Sequence, residues 1–367
     1  MNRALAFVIV PLTLLLVQFA LPYGQTRVED QRFTPLVGKW LDNPLPPVQG
    51  YAFTNVPGVP EVVKEVTKKI GKQEPAPAPI ALELSDDIID KACDGQARPA
   101  SHPHGVFTLP LEDTRPVVIN GSGSLHHVSY FATTRWIERL GVPYALVQID
   151  AHDDSRDEIH RSIQREGRID CGNWITWLVR KSSLLSHVFV FGKYFATGAG
   201  EHNFARWATR ELAEGRFDLY PYPRRPEAPP RNREFYYSNG YDIVHSLVRG
   251  YRADIVGTLL GRGGRLILHH SVDEAIPLIG TRIQEKYVYI SIDLDVLKKE
   301  FITTDWDNGP MTLDVLKSLI REIARTHTIL GADICGMSAK AKTDETSVKT
   351  VAEVYRFLME TLKEQSE

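Results

Sequence analysis

Three short segments carry the side chains best suited to hold a divalent cation. They are Gly121-Ser-Gly-Ser-Leu-His-His-Val-Ser-Tyr130, Gln148-Ile-Asp-Ala-His-Asp-Asp154 and Ser291-Ile-Asp-Leu-Asp295. In extended chain, alternate side chains point the same way, so Asp150, His152 and Asp154 can converge on one point. Two carboxylates and an imidazole form a mixed oxygen and nitrogen donor set that suits Mn²⁺, Fe²⁺ or Zn²⁺. Asp293 and Asp295 repeat the spacing, and His126 adds a further imidazole. Grouped buried carboxylates are costly without a cation. If Asp150 and Asp293 bridge, the set is large enough for two cations about 3.5–4 Å apart sharing a hydroxide. Taken singly, each aspartate also fits a helix cap or a turn. It is the three segments together that point to metal chemistry.

Such residues need rigid elements to place them, and each segment follows a short apolar run. The runs are Val117–Asn120, Tyr144–Ile149 and Tyr287–Ile292, with further runs at Val188–Gly192, Leu266–His269 and Ile329–Ile334. Helical patterns lie between several of them. The last, over Thr346–Glu364, puts Val348, Val351, Val354, Tyr355, Leu358 and Leu362 on one stripe. Short apolar strands alternating with helices predict a three-layer α/β/α domain around a mostly parallel sheet. Open sheets of this kind bind ligands at the carboxyl ends of their strands, where all three segments fall. Leu219–Pro230 holds five prolines and is expected to be a surface loop or lid. No internal repeat is found.

The chain has 367 residues, with 43% apolar and 24% charged residues, which excludes wholesale disorder, collagen and coiled coil. A net charge of −3 argues against nucleic acid as the main partner. Cys93, Cys171 and Cys335 are too few and too far apart for a disulfide scaffold. Residues 1–24 read as a signal peptide or membrane anchor, with Arg3 ahead of an apolar run from Ala4 to Ala20. The protein is therefore expected to be exported, to the periplasm or the extracellular space, or held at the membrane through residues 4–20. Residues 25–105 are expected to form a separate Pro-rich extension, because nine of the 23 prolines lie between Pro35 and Pro79. A short helix is expected there at Val62–Ile70. The catalytic domain is expected over residues 106–367.

Over roughly residues 115–340 the sequence resembles the arginase/deacetylase superfamily, in its ureohydrolase branch of arginases, agmatinases and formiminoglutamases. Asp150-Ala-His152-Asp-Asp154 and Ser291-Ile-Asp293-Leu-Asp295 match that branch closely, and Gly123-Ser-Leu-His126 matches its first histidine segment weakly. A finer resemblance, to an arginase-like subgroup, rests on Gly121-Ser-Gly-Ser-Leu-His-His127, Cys171-Gly-Asn-Trp174, Trp306-Asp-Asn-Gly309 and the strand end Gly331-Ala-Asp-Ile-Cys-Gly336. The resemblance implies His126, Asp150, His152, Asp154, Asp293 and Asp295 as ligands of two Mn²⁺, with Zn²⁺ or Fe²⁺ as alternatives. It implies a bridging hydroxide that attacks the carbon of a guanidine, amidine or amide on a small-molecule substrate, and a homo-oligomeric assembly.

Two departures from arginases bear on the substrate. No histidine follows Cys171-Gly-Asn173-Trp174, and Asp333-Ile-Cys-Gly-Met337 lacks the glutamate that holds a guanidinium, so arginine is a doubtful substrate. His127 is a candidate proton shuttle, and Asp154 is a further candidate catalytic residue. The pair His126-His127 also looks like the dyad of zinc deacetylases, which keeps a single-zinc amidase open. A catalytically inactive binding domain is a third reading. Cys171, Asn173, Trp174, Trp306 and Asp307 are candidate pocket residues, and Cys171 is a candidate reactive thiol. His269 and His270 end a run and could face the site.

Overall fold

Runs of β-branched and aromatic residues form the strands, and those at the centre of the sheet are buried on both faces. In the computed structural model these are β1 (Val48–Phe53), β2 (Ile80–Leu82), β3 (Arg115–Ile119), β4 (Tyr144–Ile149), β5 (Leu185–Tyr194), β6 (Phe217–Tyr222), β7 (Tyr236–Ser238), β8 (Asp242–Val244), β9 (Tyr287–Asp293) and β10 (Thr328–Cys335). The structure describes residues 45–68, 77–83, 114–130, 137, 140–155, 169–194, 217–222, 236–238, 242–244, 272, 276–306, 308–339 and 344–367.

Eight strands join one sheet in the order β2-β1-β3-β10-β9-β4-β5-β6. Every neighbouring pair in it is parallel. β7 and β8 pair separately and antiparallel. The expected α/β class with a parallel sheet is therefore present.

The longer helices are α1 (Val59–Thr67), α2 (Trp174–Lys181), α3 (Leu313–Thr326) and α4 (Glu345–Glu364). Two begin with a polar cap. Thr312 Oγ1 accepts from Val315 N at 3.3 Å, and Asp344 Oδ1 accepts from Ser347 N at 2.8 Å. The whole expected stripe of α4 is buried, from Val348 to Leu362.

β3 and β4 are consecutive in the chain, yet β10 and β9 lie between them in the sheet. Because all four run parallel, their carboxyl ends meet at one edge. The segments leaving β3, β4 and β9 are the three that carry the candidate ligands.

Three expectations are corrected. Residues 25–105 are not wholly a separate extension. β1 pairs with β3 over Val48–Ala52, β2 pairs with β1, and α1 packs on α4. The proline-rich sequence hid this because its prolines fall between these short elements or, at Pro60, in the first turn of α1, while Val48–Phe53 is free of them. The helix runs Val59–Thr67, starting earlier than expected because Pro60 suits a first turn. Nor does the loop begin at Leu219: Leu219–Tyr222 completes β6, an edge strand on which Pro221 is tolerated. The remainder of that stretch, the run Leu266–His269, and the leader over residues 1–24 lie outside the described residues. Among the described residues, no helix is long and apolar enough to cross a membrane.

The contact between β1 and α4 is close. A Cβ on Gly50 would stand 1.7 Å from Tyr355 Oη and 2.7 Å from its ring. Gly50→Ala is expected to destabilise the fold by about 1–3 kcal/mol through overpacking, read by urea unfolding. Tyr355→Phe in the same chain should recover part of the loss. No loss would mean that β1 does not pack where the structure puts it.

Candidate metal centre

Parallel register builds the site. Ile149 pairs with Ile292, so Asp150 follows beside Asp293, and Asp293 pairs with Cys335. These three residues form one row across β4, β9 and β10. Two residues back on the same strand face, a second row pairs Gln148 with Ser291 and Ser291 with Asp333. The lower row is buried and entirely polar.

The lower row orients the upper one. Gln148 Nε2 donates to Asp150 Oδ2 at 2.7 Å. Ser291 Oγ donates to Asp333 Oδ1 at 2.9 Å, and Ser129 Oγ donates to the same oxygen at 2.7 Å. His126 arrives from the segment after β3, past a single turn at Gly123–Leu125 that Ser122 caps. Its Nε2 lies 2.9 Å from Ser291 Oγ. The Ser291 hydroxyl proton is committed to Asp333, so Nε2–H donates and Nδ1 is the nitrogen turned toward the cluster.

Nδ1 faces carboxylates. Nδ1 lies 2.8 Å from Asp154 Oδ2, 3.2 Å from Asp150 Oδ2 and 3.7 Å from Asp293 Oδ2, with no aligned hydrogen bond. His152 repeats the arrangement on the other side of Asp150. Its Nδ1 lies 2.9 Å from Asp295 Oδ2 and 3.6 Å from Asp150 Oδ1. Backbone N–H groups take other lone pairs: His152 N on Asp150 Oδ1 at 2.6 Å, Ala151 N on Asp295 Oδ1 at 3.2 Å and Asp295 N on Asp293 Oδ1 at 3.0 Å. Asp295 Oδ2 has no hydrogen-bond partner.

Asp154 is held from two sides. Its backbone is left-handed, at φ 42°, a conformation aspartate tolerates and functional sites often hold. Its carbonyl accepts from Ile175 N at 3.1 Å, and its Oδ2 accepts from Trp174 Nε1 at 2.8 Å. The Trp174 ring also lies 4.9 Å from the His126 ring.

The electrostatics call for positive charge. Burial, reinforced by the charge of Asp150, pushes the Asp154 and Asp293 carboxyls up. Burial and the neighbouring Asp293 push Asp295 well up. Asp150 goes the other way: burial opposes its charge, but the neighbouring His126 and His152 imidazoles hold it below the usual range. The donors fall into the triads His126–Asp150–Asp154, Asp150–His152–Asp295 and His126–Asp293–Cys335, each with its ligand atoms within 4.8 Å of one another. The first two share Asp150. Orphaned imidazole and carboxylate atoms, buried and aimed at common points, are what a divalent cation fits.

All six expected ligands thus come together. The other candidates separate. His127 is buried, with Nδ1 lacking a hydrogen-bond partner, and burial pulls its imidazole down to about 4. Trp306 is 48% exposed and stands edge-on to His152, 6.1 Å between ring centres. Trp174 is fully buried, and Asn173 Oδ1 accepts from Asp170 N at 2.9 Å. Cys171 is half-buried, and burial together with nearby Asp154 pushes its thiol up, which is the opposite of an activated nucleophile. Asp307, His269 and His270 lie outside the described residues. Sequence reasoning passed over the lower row and the position of Cys335 at the end of the upper one. The signal was a polar residue two places before each member of the upper row, in three largely apolar runs: Gln148 before Asp150, Ser291 before Asp293, Asp333 before Cys335.

No protein-family model and no curated protein matches the sequence. Solved structures do. A candidate agmatinase from Clostridium difficile is similar with a TM-score of 0.50 at 15% identity, over 88% of this chain and 99% of that one. The chain has an arginase-like α/β fold. Proclavaminate amidino hydrolase from Streptomyces clavuligerus has a TM-score of 0.49 at 14% identity, over 89% of this chain and 95% of that one. Agmatine ureohydrolase of Thermoplasma volcanium has a TM-score of 0.49 at 13% identity, over 89% and 94%. Within the arginase-like fold, the described site sits at the carboxyl edge of the central strands.

Trp174→Phe keeps the buried ring and deletes the N–H that Asp154 accepts. It is expected to cost about 1.5–3 kcal/mol, the range for a hydrogen bond to a charged group. Urea unfolding in a chelator isolates this from any cation. An unchanged unfolding midpoint would show that the bond contributes nothing.

Proposed function

We propose that this protein is a metal-dependent hydrolase of a non-peptide C–N bond, acting on an amidine, guanidine or amide of a small molecule through two divalent cations. The observation that carries the reading is the pair of donor triads sharing Asp150. His126, Asp150, Asp154 and Asp293 would hold one cation, and Asp150, His152, Asp293 and Asp295 the other. Mn²⁺ is the first choice for this donor set, with Zn²⁺ and Fe²⁺ as alternatives. When bound, such cations activate water at neutral pH and stabilise charge that develops on the substrate.

The chain's own residues would do the rest. His127, neutral near pH 7, is the candidate proton carrier, with Asp154 beside the reacting centre. His152, with 39% of its side chain exposed, and Trp306 stand where solvent reaches the cluster and would meet the substrate first. Gly336 bears on specificity. Its φ is +113°, and a Cβ there would lie 2.5 Å from Asp293 Oδ1. No carboxylate side chain can occupy that position, so a guanidinium would lack an anionic partner from this turn. This favours an amide, or an amidino group paired elsewhere, over arginine.

A single-zinc amidase using the His126–His127 dyad would leave the Asp150–His152–Asp295 triad without a purpose, so it ranks second. The reading also takes residues 1–24 as an export signal or anchor and the working form as a homo-oligomer.

Metal content of the full chain, measured by plasma mass spectrometry after purification with Mn²⁺, tests the proposal. Two cations per chain are expected in wild type, none in Asp150→Ala, and one in Asp295→Ala. One cation in wild type would overturn the binuclear reading in favour of the single-zinc one. A panel of guanidines, amidines and amides, assayed for urea and ammonia or amine release, tests the chemistry. Loaded protein that turns over none of them would overturn the hydrolase reading and leave a metal-stabilised binding domain.

A further inference from the structure

We propose that the Cys335 sulfur is itself a metal ligand, joining His126 and Asp293 at one of the two cation positions and biasing that position toward Zn²⁺, Fe²⁺ or Co²⁺ over Mn²⁺. The inference rests on the metal-centre reading above and names which metals it takes.

The placement of Cys335 comes from the sheet. It is the last residue of β10 and pairs in register with Asp293, so it extends the row that begins with Asp150. Strand alternation puts all three side chains on one face. The thiol is buried and lies 3.4 Å from Asp293 Oδ2. That oxygen is the one facing the cluster, because Oδ1 accepts from Asp295 N at 3.0 Å. His126 Nδ1 lies 3.7 Å from the same Oδ2 and has no hydrogen-bond partner. An imidazole nitrogen, a carboxylate oxygen and a sulfur thus converge, all within 4.8 Å. A cysteine that only filled core would be surrounded by apolar groups. Gly336 helps fix this contact, since a side chain there would collide with Asp293 and push the strand end away.

Metal binding would break the Cys335 S–H bond, release the proton to solvent and leave a sulfur lone pair on the cation. Thiolate is a soft donor that selects Zn²⁺ and other late divalent ions, while an all-oxygen and imidazole set accepts Mn²⁺. The sulfur makes the two positions chemically unequal: one has a soft ligand, and the one held by His152 and Asp295 has none.

Co²⁺ titration of the metal-free full chain tests this. The expected result is a sulfur-to-cobalt charge-transfer band in the near ultraviolet. It should persist in Cys93→Ser and Cys171→Ser and vanish in Cys335→Ser and Cys335→Ala, with both Cys335 variants still binding two cobalt ions. Competition with a chelator should show a loss of roughly tenfold or more in Zn²⁺ affinity in the Cys335 variants, the scale on which groups around a metal act, and little change for Mn²⁺. Two cobalt ions bound to wild type without the band would overturn the sulfur ligand and leave the binuclear reading intact. No cobalt binding at all would overturn both.

Discussion

The crowding of acid groups at one edge of a parallel sheet is the constraint on which this structure depends. Parallel pairing fixes which residues stand side by side, and here it sets Asp150 against Asp293. Asp154, Asp295, the buried His126 and the partly exposed His152 are then drawn to the same edge. Charges so placed repel at low dielectric, and burial raises the cost of each. A proton on an imidazole relieves part of this, and a divalent cation relieves more. The fold holds these groups in place because their strands are the buried centre of the sheet, where a change of register would displace the core as well as the site.

The polar row beneath the ligands turns proximity into geometry. Asp333 takes hydrogens from Ser291 and Ser129, which leaves Ser291 able only to accept from His126. One buried carboxylate thereby fixes which nitrogen of an imidazole on a different segment turns toward the cluster. Gln148 does comparable work for Asp150, and Trp174 for Asp154. These partners lie on strands and a helix rather than on loops, so the ligand atoms inherit the rigidity of the elements.

Much of this was legible in the sequence, and the physical reasons differ by element. The segments Asp150–Asp154 and Asp293–Asp295 are read directly, because alternation in extended chain is a local property. The strands before them are apolar on both faces, which only a covered parallel sheet requires. β1 and β2 were hidden: they are short, and the prolines around them set the composition of the stretch. The lower row was passed over because a lone Gln148 or Asp333 in an apolar run carries little meaning until pairing shows that they are neighbours. Trp174 reads as a pocket wall from its type, yet its value lies in one N–H directed at Asp154, and no spacing rule gives that direction.

Gly336 links stability to specificity. It must be glycine twice over, since its backbone is left-handed and its Cβ position is filled by the Asp293 carboxylate and the Leu294 amide. The tight turn it permits keeps the end of β10 against the ligands, which is what brings Cys335 to Asp293. The same tightness keeps any side chain off this turn, where on the proposed reading a guanidinium would need a counter-charge. One backbone constraint therefore adds a sulfur to the cluster and takes a carboxylate from its rim. On the reading proposed above, a centre altered in both respects would take a different substrate, and a different cation, from an arginine-splitting site.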